Sequence, residues 1–247
     1  MKVSVVVPAF NEEAVIGDAV RRLHDFWAAD PTTGAFEIVV VDDGSTDATA
    51  QRVRALDLAP VRVVQQTNSG KGAAVRAGVA TTTGDVVYFI DADLPYSLDN
   101  QREAVRLISA GALAAVGSRR ATGAHAAGYP MARRAFSWAL KVLMRLLLGL
   151  RVSDTQCGLK AFHGPLARQL FPGLAVTGFG FDLELLVVLQ RNSVDVRELP
   201  VDLQHTARTS VSLVRDSVRI LANLATLKWG VVRGRYDGRL TLPAALS

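Results

Sequence analysis

Two aspartates separated by one residue follow directly after an apolar stretch in the middle of the chain. Residues 86–90 are β-branched or aromatic, which is typical of a strand buried on both faces, and Asp91 and Asp93 come next. Alternate side chains of an extended chain point the same way, so we expect both carboxylates to converge past the strand end. Neighbouring anions repel unless a cation lies between them, and oxygen ligands suit Mg²⁺ or Mn²⁺. The pattern predicts a divalent-metal site, with a pair of solvated loop aspartates as the alternative.

The rest of the chain alternates between strand and helix patterns. Apolar runs predict strands at 3–7, 37–41, 61–65, 86–90, 112–116 and 194–201, the first of them stopped by Pro8. Helical spacing of apolar residues predicts helices at about 13–29, 73–81, 98–109 and from the segment 178–184 to about 192. Such alternation indicates an α/β fold with a mostly parallel, Rossmann-like central sheet flanked by helices, in which ligands bind at the carboxyl ends of the strands. The first strand lacks a following G-x-G-x-x-G, which argues against a dinucleotide-binding domain.

Polar segments follow two of these strands. The second strand leads into Asp42 and Asp43 and then a turn, where Ser45 or Thr46 is expected to cap the next helix. The segment 68–72, Asn-Ser-Gly-Lys-Gly, opens a further helix. Its glycines let backbone approach a ligand, and a helix N-terminus attracts anions. Lys71 is therefore a candidate phosphate contact, with simple helix capping as the alternative.

Composition limits the class of protein. The 247 residues suffice for one large α/β domain, and one cysteine, Cys157, excludes intramolecular disulfides and suits a reducing cytoplasm. The net charge of +5 indicates an acidic partner, such as a nucleotide, a phosphorylated substrate or an anionic lipid. Nucleic acid is not expected, because arginines are scattered and aromatic residues make up only 6 %. We expect neither a signal peptide nor a transmembrane span.

Two amphipathic segments could contact a membrane surface. Residues 136–150 and 211–232 combine apolar positions at helical spacing with lysine and arginine, and Trp229 lies near the end of the second segment. A basic helix with a terminal tryptophan fits an anionic lipid surface. Packing on the protein core is the alternative. The first interpretation predicts a cytoplasmic protein bound peripherally to the inner face of the membrane.

Seven motifs in one order resemble a known family. They are VVVPAFNEE, VVVDDGSTDAT, NSGKGAAVRAG, DADL, GSR, DTQCGLKAF and FGFDLELL, between about residues 3 and 205. Together they resemble inverting family 2 glycosyltransferases, especially the dolichyl- or polyprenyl-phosphate β-glucosyltransferase type. The resemblance implies a GT-A fold in residues 1–205, with a nucleotide-sugar-binding half at 1–118 and an acceptor-binding half at 119–205. Residues 206–247 would form an amphipathic, membrane-associated extension.

The resemblance also implies roles for individual residues on the donor side. It places four residues around the base and ribose of the nucleotide: Pro8, Phe10, Asn11 and Glu12. Asp42 would contact the base with Asp43 nearby, and Asp91 and Asp93 would hold the Mg²⁺ or Mn²⁺ that bridges the donor diphosphate. An acidic residue such as Glu12 has an alternative role as a favourable charge at a helix N-terminus.

On the acceptor side, the resemblance implies that Arg119 contacts a phosphate. The alternative is that Arg119 is a solvated cation on the surface. A second downstream arginine would act likewise, and Arg133 is preferred over Arg134. If the reaction uses a general base, Asp154 and Asp182 are the candidates. Many relatives have Gly-Ser-Lys after the last strand, where residues 207–211 of this chain have no lysine. Arg208 could supply that charge from a shifted position.

The implied reaction transfers a hexose, glucose from UDP-glucose, to a polyprenyl or dolichyl monophosphate with inversion. Two alternatives stay open at this point. One is a GDP-mannose donor, and the other is a hydroxyl acceptor on a protein or polysaccharide. A phosphate acceptor is already ionised at pH 7 and needs no general base, whereas a hydroxyl acceptor needs one.

Overall fold

The structure, a computed structural model, describes residues 1–119, 144–178, 180–202 and 224–241. Its strands are β1 (Lys2–Ala9), β2 (Ala35–Asp42), β3 (Val61–Gln65), β4 (Val86–Phe89), β5 (Ala114–Ser118), β6 (Lys160–His163) and β7 (Val196–Pro200). Its helices are α1 (Ile16–Ala29), α2 (Thr49–Arg54), α3 (Lys71–Ala80), α4 (Leu98–Ser109), α5 (Gly164–Leu170) and α6 (Phe181–Arg191). Residues 144–148 and 224–232 are also helical. The predicted α/β class is confirmed.

The described strands form one seven-stranded sheet in the order β3-β2-β1-β4-β6-β5-β7. The chain leaves β1 in one direction through β2 and β3, and then returns to the other side of β1 as β4. The strands β1, β2, β3 and β4 are parallel, so their carboxyl ends share one edge. The reversal of strand order between β1 and β4 creates a crevice, where ligands of open α/β sheets bind. Asp91 and Asp93 follow β4 at this crevice.

Strand β1 does not stop at Pro8, contrary to the sequence prediction. It continues to Ala9, which pairs with Asp42 of β2. The carbonyl of Val6 accepts a hydrogen bond from Ile90 on the β4 side. Backbone groups of alternate residues face the same neighbour, so Pro8 also faces β4, where strand pairing has already ended at Val6 and Phe89. The missing N–H of Pro8 therefore removes no ladder hydrogen bond.

β6 and α5 have no counterpart among the elements predicted from the sequence. β6 lies between β4 and β5 and runs antiparallel to both. Its first residue, Lys160, pairs with Phe89 and Val116 near the carboxyl ends of the neighbouring strands. The antiparallel direction therefore brings the segment preceding β6 to the same edge as Asp91.

Buried apolar side chains cover both faces of the sheet. One cluster joins α1 and α4 to the sheet, and the other joins α3, α5 and α6 to residues from 144–150 and 224–236. Leu224 and Leu227 are fully buried in this second cluster, whereas Trp229 and Val232 are 60 % and 67 % exposed. The described part of the C-terminal segment therefore packs on the core, as the alternative predicted, and also has exposed apolar side chains. No helix of the described residues has the length and apolarity to cross a membrane.

Glu37 of β2 provides a test of stability against pH. It accepts hydrogen bonds from Ser4 Oγ at 2.6 Å, the Thr83 N–H at 2.8 Å and Arg62 Nη2 at 3.1 Å. Burial opposes ionisation, but these donors outweigh it and lower the pKa of Glu37 to about 2. The ordinary value is 4.5, so the stabilisation is fully present above that pH and is lost as pH falls towards 2.

We expect Glu37→Gln to lower the free energy of unfolding by about 2 kcal/mol at pH 7. The difference between variant and wild type should shrink steadily between pH 5 and pH 2, because wild-type Glu37 becomes protonated there. Urea denaturation across this range measures it. Glu103→Gln is the control, since Glu103 forms an exposed pair with Arg106 whose loss should change stability by at most about 1 kcal/mol. A pH-independent difference for Glu37→Gln would contradict the assignment.

Candidate active site

The loops after β1 and β2 are joined by hydrogen bonds. Asn11, in a left-handed conformation at φ 56°, donates its N–H to Ser45 Oγ at 2.9 Å and accepts from the Thr46 N–H at 2.9 Å. The prediction that Ser45 or Thr46 caps α2 is therefore wrong. At the start of α2, Asp47 Oδ1 accepts a hydrogen bond from the Thr49 N–H at 3.0 Å. Phe10, on the same loop, is 46 % exposed. Its ring remains open to a ligand at the edge of the sheet.

Asp42 and Asp43 are almost fully buried, at 2 % and 4 % exposure. The carboxylate of Asp42 accepts from the Ser45 N–H and from Gln65 Nε2, each at 2.9 Å. Burial alone would raise the pKa of Asp42, but these hydrogen bonds hold it below its usual value. Asp43 accepts from the N–H groups of Ser69 at 2.9 Å and of Gly70 at 2.8 Å. Asp43 thus fixes the loop that leads to Lys71.

Asp91 and Asp93 lie in a turn, which corrects the premise of an extended chain. The Leu94 N–H donates to the Asp91 carbonyl at 3.0 Å, and Leu94 has a φ of 46°. The two carboxylates still act on one region. Burial, followed by the charges of Asp93 and Asp91, raises the pKa of Glu12 on the neighbouring loop. The ends of β1 and β4 therefore concentrate negative charge at the crevice.

Lys71 lies beside this pair of carboxylates. Its ammonium contacts Asp91 Oδ1, and its side chain is only 16 % exposed. Burial lowers the pKa of Lys71, but the charges of Asp91, Asp182 and Asp93 outweigh burial and raise it. Lys71 therefore stays protonated at neutral pH and compensates part of the carboxylate charge. Simple helix capping, the alternative role from the sequence, does not describe this contact.

Arg119 and Asp154 form a two-pronged ion pair on the other side of the crevice. Arg119 Nε lies 2.7 Å from Asp154 Oδ2, and Nη2 lies 3.0 Å from Oδ1. The Asp154 side chain is 6 % exposed and that of Arg119 33 %, so Arg119 is not a freely solvated cation. Despite burial of both groups, the pair raises the pKa of Arg119 and lowers that of Asp154. A carboxylate with a lowered pKa is a weak proton acceptor, so this geometry does not favour Asp154 as a general base.

Asp182 pairs with a buried lysine that the sequence analysis did not single out. Asp182 lies in the first turn of α6, and its Oδ1 is 2.6 Å from Lys160 Nζ. Lys160 has no solvent exposure and also donates to the Cys157 carbonyl at 2.6 Å. One sequence feature could have indicated it: Lys160 lies between the apolar residues Leu159 and Ala161, where a charged side chain is unexpected.

The remaining predicted positions fall outside the described residues. These are Arg133, Arg134 and Arg208. Within the described part of the chain, no group of three or more histidine, cysteine, aspartate or glutamate side chains has a metal-binding arrangement. Asp91 and Asp93 could offer a cation two carboxylates, an arrangement that Mg²⁺ uses when phosphate oxygens and water complete its coordination.

Comparison with known proteins identifies the family. The glycosyl transferase family 2 pattern matches residues 4–171. Glycosyltransferase AglD of Haloferax volcanii is 32 % identical over 254 residues, which cover 100 % of this chain and 40 % of that protein. Dolichyl-phosphate beta-glucosyltransferase ALG5C of Trichomonas vaginalis is 32 % identical over 246 residues, which cover 90 % of this chain and 73 % of that protein.

A solved structure agrees with the fold. Glucosyl-3-phosphoglycerate synthase from Mycobacterium tuberculosis, crystallised with Mn²⁺, UDP-glucose and phosphoglyceric acid, has a TM-score of 0.65 and 25 % identity. The superposition covers 92 % of this chain and 80 % of that one. The GT-A fold that the resemblance implied is confirmed. With carboxylates grouped at the crevice between β1 and β4, the chain is a glycosyltransferase and belongs to glycosyl transferase family 2.

Proposed function

We propose that this enzyme transfers glucose from UDP-glucose to a polyprenyl or dolichyl monophosphate with inversion, in a reaction that requires Mg²⁺ or Mn²⁺. The observation that supports it most is the charge arrangement at the crevice: Asp91 and Asp93 face Lys71 on one side, and the Arg119–Asp154 pair lies on the other. Acidic residues suit the metal-bound diphosphate of a donor, and a guanidinium suits an acceptor phosphate. Residues 1–118 would form the donor half and residues 119–205 the acceptor half.

The relatives support this choice of substrates. Proteins named dolichyl-phosphate beta-glucosyltransferase from Trichomonas vaginalis and Saccharomyces cerevisiae are 32 % and 28 % identical to this chain. The Mycobacterium tuberculosis synthase was crystallised with UDP-glucose and Mn²⁺. Because it was also crystallised with phosphoglyceric acid, a small phosphorylated acceptor is the second candidate. GDP-mannose as donor and a hydroxyl acceptor remain further alternatives.

The residues at the donor side fit a divalent cation. Among the described residues, Lys71 compensates part of the charge of the two carboxylates. Burial, followed by the charges of Asp93 and Asp91, raises the pKa of Glu12 beside them. When bound at Asp91 and Asp93, the cation would act as a Lewis acid on the departing diphosphate. Lys71 would bind a donor phosphate as a protonated amine. Phe10, Asn11 and Glu12 would line the nucleoside end, while buried Asp42 and Asp43 hold the loops in place.

At the acceptor side, Arg119 would orient the acceptor phosphate. A phosphate oxygen attacks the anomeric carbon opposite the nucleotide, a bond from that oxygen to carbon forms, and the bond from carbon to the diphosphate breaks. The attacking oxygen is already ionised, so no proton has to be removed. This agrees with the ion pairs of Asp154 and Asp182, the two carboxylates suggested as bases, which both have a cation as partner.

A prenyl acceptor has to be taken from a lipid surface, and the described residues offer exposed groups suited to one. Leu146, Trp229 and Val232 are exposed apolar side chains, and the Arg233 guanidinium lies 4.3 Å from the centre of a Trp229 ring. Aromatic and basic groups together favour the interface of an anionic membrane. We propose peripheral binding to the inner face of the cytoplasmic membrane, which sedimentation with phosphatidylglycerol vesicles tests by comparing wild type with Trp229→Ala.

A panel of donors and acceptors tests the proposed function. UDP-glucose and GDP-mannose are each offered with polyprenyl phosphate, the corresponding polyprenol, and 3-phosphoglycerate, with Mn²⁺ or with EDTA. We expect transfer from UDP-glucose to polyprenyl phosphate only, and its loss in EDTA. Product stereochemistry by NMR tests inversion. Preference for polyprenol or for 3-phosphoglycerate would replace the proposed acceptor, and preference for GDP-mannose would replace the donor.

Gly158 gives a more selective test of the metal site. A Cβ added there would lie 2.9 Å from Asp91 Cγ and would press on the carboxylate itself. We therefore expect Gly158→Ala to displace Asp91 and weaken Mn²⁺ binding by about tenfold, a typical effect of disturbing groups behind a metal ligand. Electron paramagnetic resonance of free Mn²⁺ measures it.

Gly17→Ala is the matched control for this variant. A Cβ at Gly17 would meet nothing within 4 Å, and the residue lies in α1, far along the chain from the turn at Asp91. Its Mn²⁺ affinity should equal that of wild type. Unchanged affinity in Gly158→Ala would show that Asp91 does not bind the ion in the position seen here.

A further inference from the structure

Lys160 is a charged side chain buried without any solvent exposure. Burial of an ammonium is unfavourable unless hydrogen bonds and an opposite charge compensate it. Two oxygens do so here: the Cys157 carbonyl at 2.6 Å and Asp182 Oδ1 at 2.6 Å. The Phe89 ring of the central strand lies 5.6 Å from the same ammonium. Lys160 thus joins β6, the start of α6 and the segment before β6.

The segment before β6 connects the two sides of the crevice. We name residues 154–158 the connecting turn. At its first residue, Asp154 holds Arg119 through both carboxylate oxygens. At its last residue, Gly158 packs against the Asp91 carboxylate so closely that no side chain fits between them. The Cys157 carbonyl, next to Gly158, is the group that Lys160 binds.

We propose that Lys160 is a positioning residue for glycosyl transfer. Its ammonium fixes the connecting turn through the Cys157 carbonyl. The connecting turn then determines where Arg119 and the Asp91 carboxylate lie relative to each other. Lys160 acts through these residues and touches neither substrate. The proposal rests on the proposed function in one respect, namely that Arg119 serves the acceptor and Asp91 the donor.

The position of the connecting turn is sensitive to the loss of Lys160, because buried side chains fill the space on the core side of this turn. A Cβ on Gly117 would lie 2.6 Å from Cys157 Sγ, and Cys157 and Leu159 are both fully buried. A turn released from Lys160 would therefore shift towards its open side, the crevice, rather than into the core. A shift of about 1 Å in a site of this kind can reduce turnover by about 100-fold.

The experiment separates this positioning from simple neutralisation of Asp182. Asp182→Asn keeps an oxygen for Lys160, which still binds the Cys157 carbonyl. The double variant Lys160→Met with Asp182→Asn removes both charges of this pair, so an unpaired Asp182 cannot destabilise it. We expect the double variant to have a kcat about 30-fold below that of Asp182→Asn and Mn²⁺ binding about tenfold weaker. Its melting temperature should be no lower, because Asp182→Asn leaves the Lys160 ammonium buried without its counter-charge. KM for the donor should change less than kcat.

Two results would overturn the proposal. One is equal kcat and equal Mn²⁺ affinity in Asp182→Asn and the double variant, which would limit Lys160 to neutralising Asp182. The other is a double variant that does not fold although Asp182→Asn does, which would assign Lys160 to the core alone. Wild-type enzyme inactive with UDP-glucose and polyprenyl phosphate would instead contradict the proposed function. The Mn²⁺ comparison then still decides the role of Lys160.

Discussion

Asp93→Ala is expected to reduce turnover by at least about 1,000-fold, because it removes one of two carboxylates proposed to hold the cation that stabilises the leaving diphosphate. Asp93 lies on a turn at the crevice, where its charge acts on both Glu12 and Lys71. Its removal leaves Asp91 alone, and Asp91 already has Lys71 as a partner. The remaining site would have little net negative charge with which to bind Mg²⁺ or Mn²⁺.

Two measurements distinguish this effect from a general loss of structure. The first is the Mn²⁺ affinity of Asp93→Ala, which we expect to fall with turnover, whereas thermal unfolding should remain a single cooperative transition. The second is Asp195→Asn as a control, since Asp195 forms an exposed pair with Arg197 and its loss should change turnover by no more than about twofold. More than a tenth of wild-type turnover in Asp93→Ala, unaffected by EDTA, would contradict the metal site.

Local patterns in the sequence predicted several elements at the bounds that the structure has. β3 occupies Val61–Gln65 and α4 occupies Leu98–Ser109, as expected. Both are set by short-range features: an apolar run for the strand, and for the helix an amphipathic repeat whose N-terminus Ser97 caps by accepting from Asn100. The general position of the site was predictable for a related reason, because the carboxyl ends of parallel strands meet at one edge.

Features that depend on distant partners were not predictable from local patterns. β6 has only four residues and begins with Lys160, so periodicity gave no strand signal, and its antiparallel place in the sheet is fixed by β4 and β5. The turn at Asp91 depends on a leucine with positive φ, a conformation that leucine rarely adopts. Asp91 and Asp93 therefore lie at the predicted edge of the sheet, but on a turn and not on the extended chain that was expected.

The pairing of charged side chains was also not predictable from the sequence. Candidate bases were chosen from the sequence as isolated carboxylates, but Asp154 and Arg119 are 35 residues apart and Asp182 and Lys160 are 22 apart. The sequence alone does not indicate which cationic side chain pairs with each carboxylate after folding. These pairings change the expected chemistry, because a paired carboxylate holds a cation in place and loses basicity. Lys160 became a functional candidate only when its burial and its two partners were known.

Arg119→Met should have the second large effect, a fall of about 100-fold or more in kcat/KM for the phosphate acceptor. Arg119 is one-third exposed, and the pair with Asp154 uses Nε and Nη2, which leaves Nη1 for an acceptor phosphate. Arg119→Lys should recover only part of the loss, because an ammonium cannot bind Asp154 through two nitrogens and a phosphate at once. UDP binding, measured by calorimetry, should stay near the wild-type value in both variants.

Arg119→Met also leaves Asp154 buried without its cation, which by itself should destabilise the fold by about 3 kcal/mol. A second variant separates this loss from the loss of acceptor binding. Arg119→Met combined with Asp154→Leu removes both charges, so its melting temperature should recover towards wild type while kcat/KM for the acceptor stays low. Recovery of activity along with stability would mean that Arg119 serves only to neutralise Asp154. Low activity in a stable double variant would instead support direct contact between Arg119 and the acceptor phosphate.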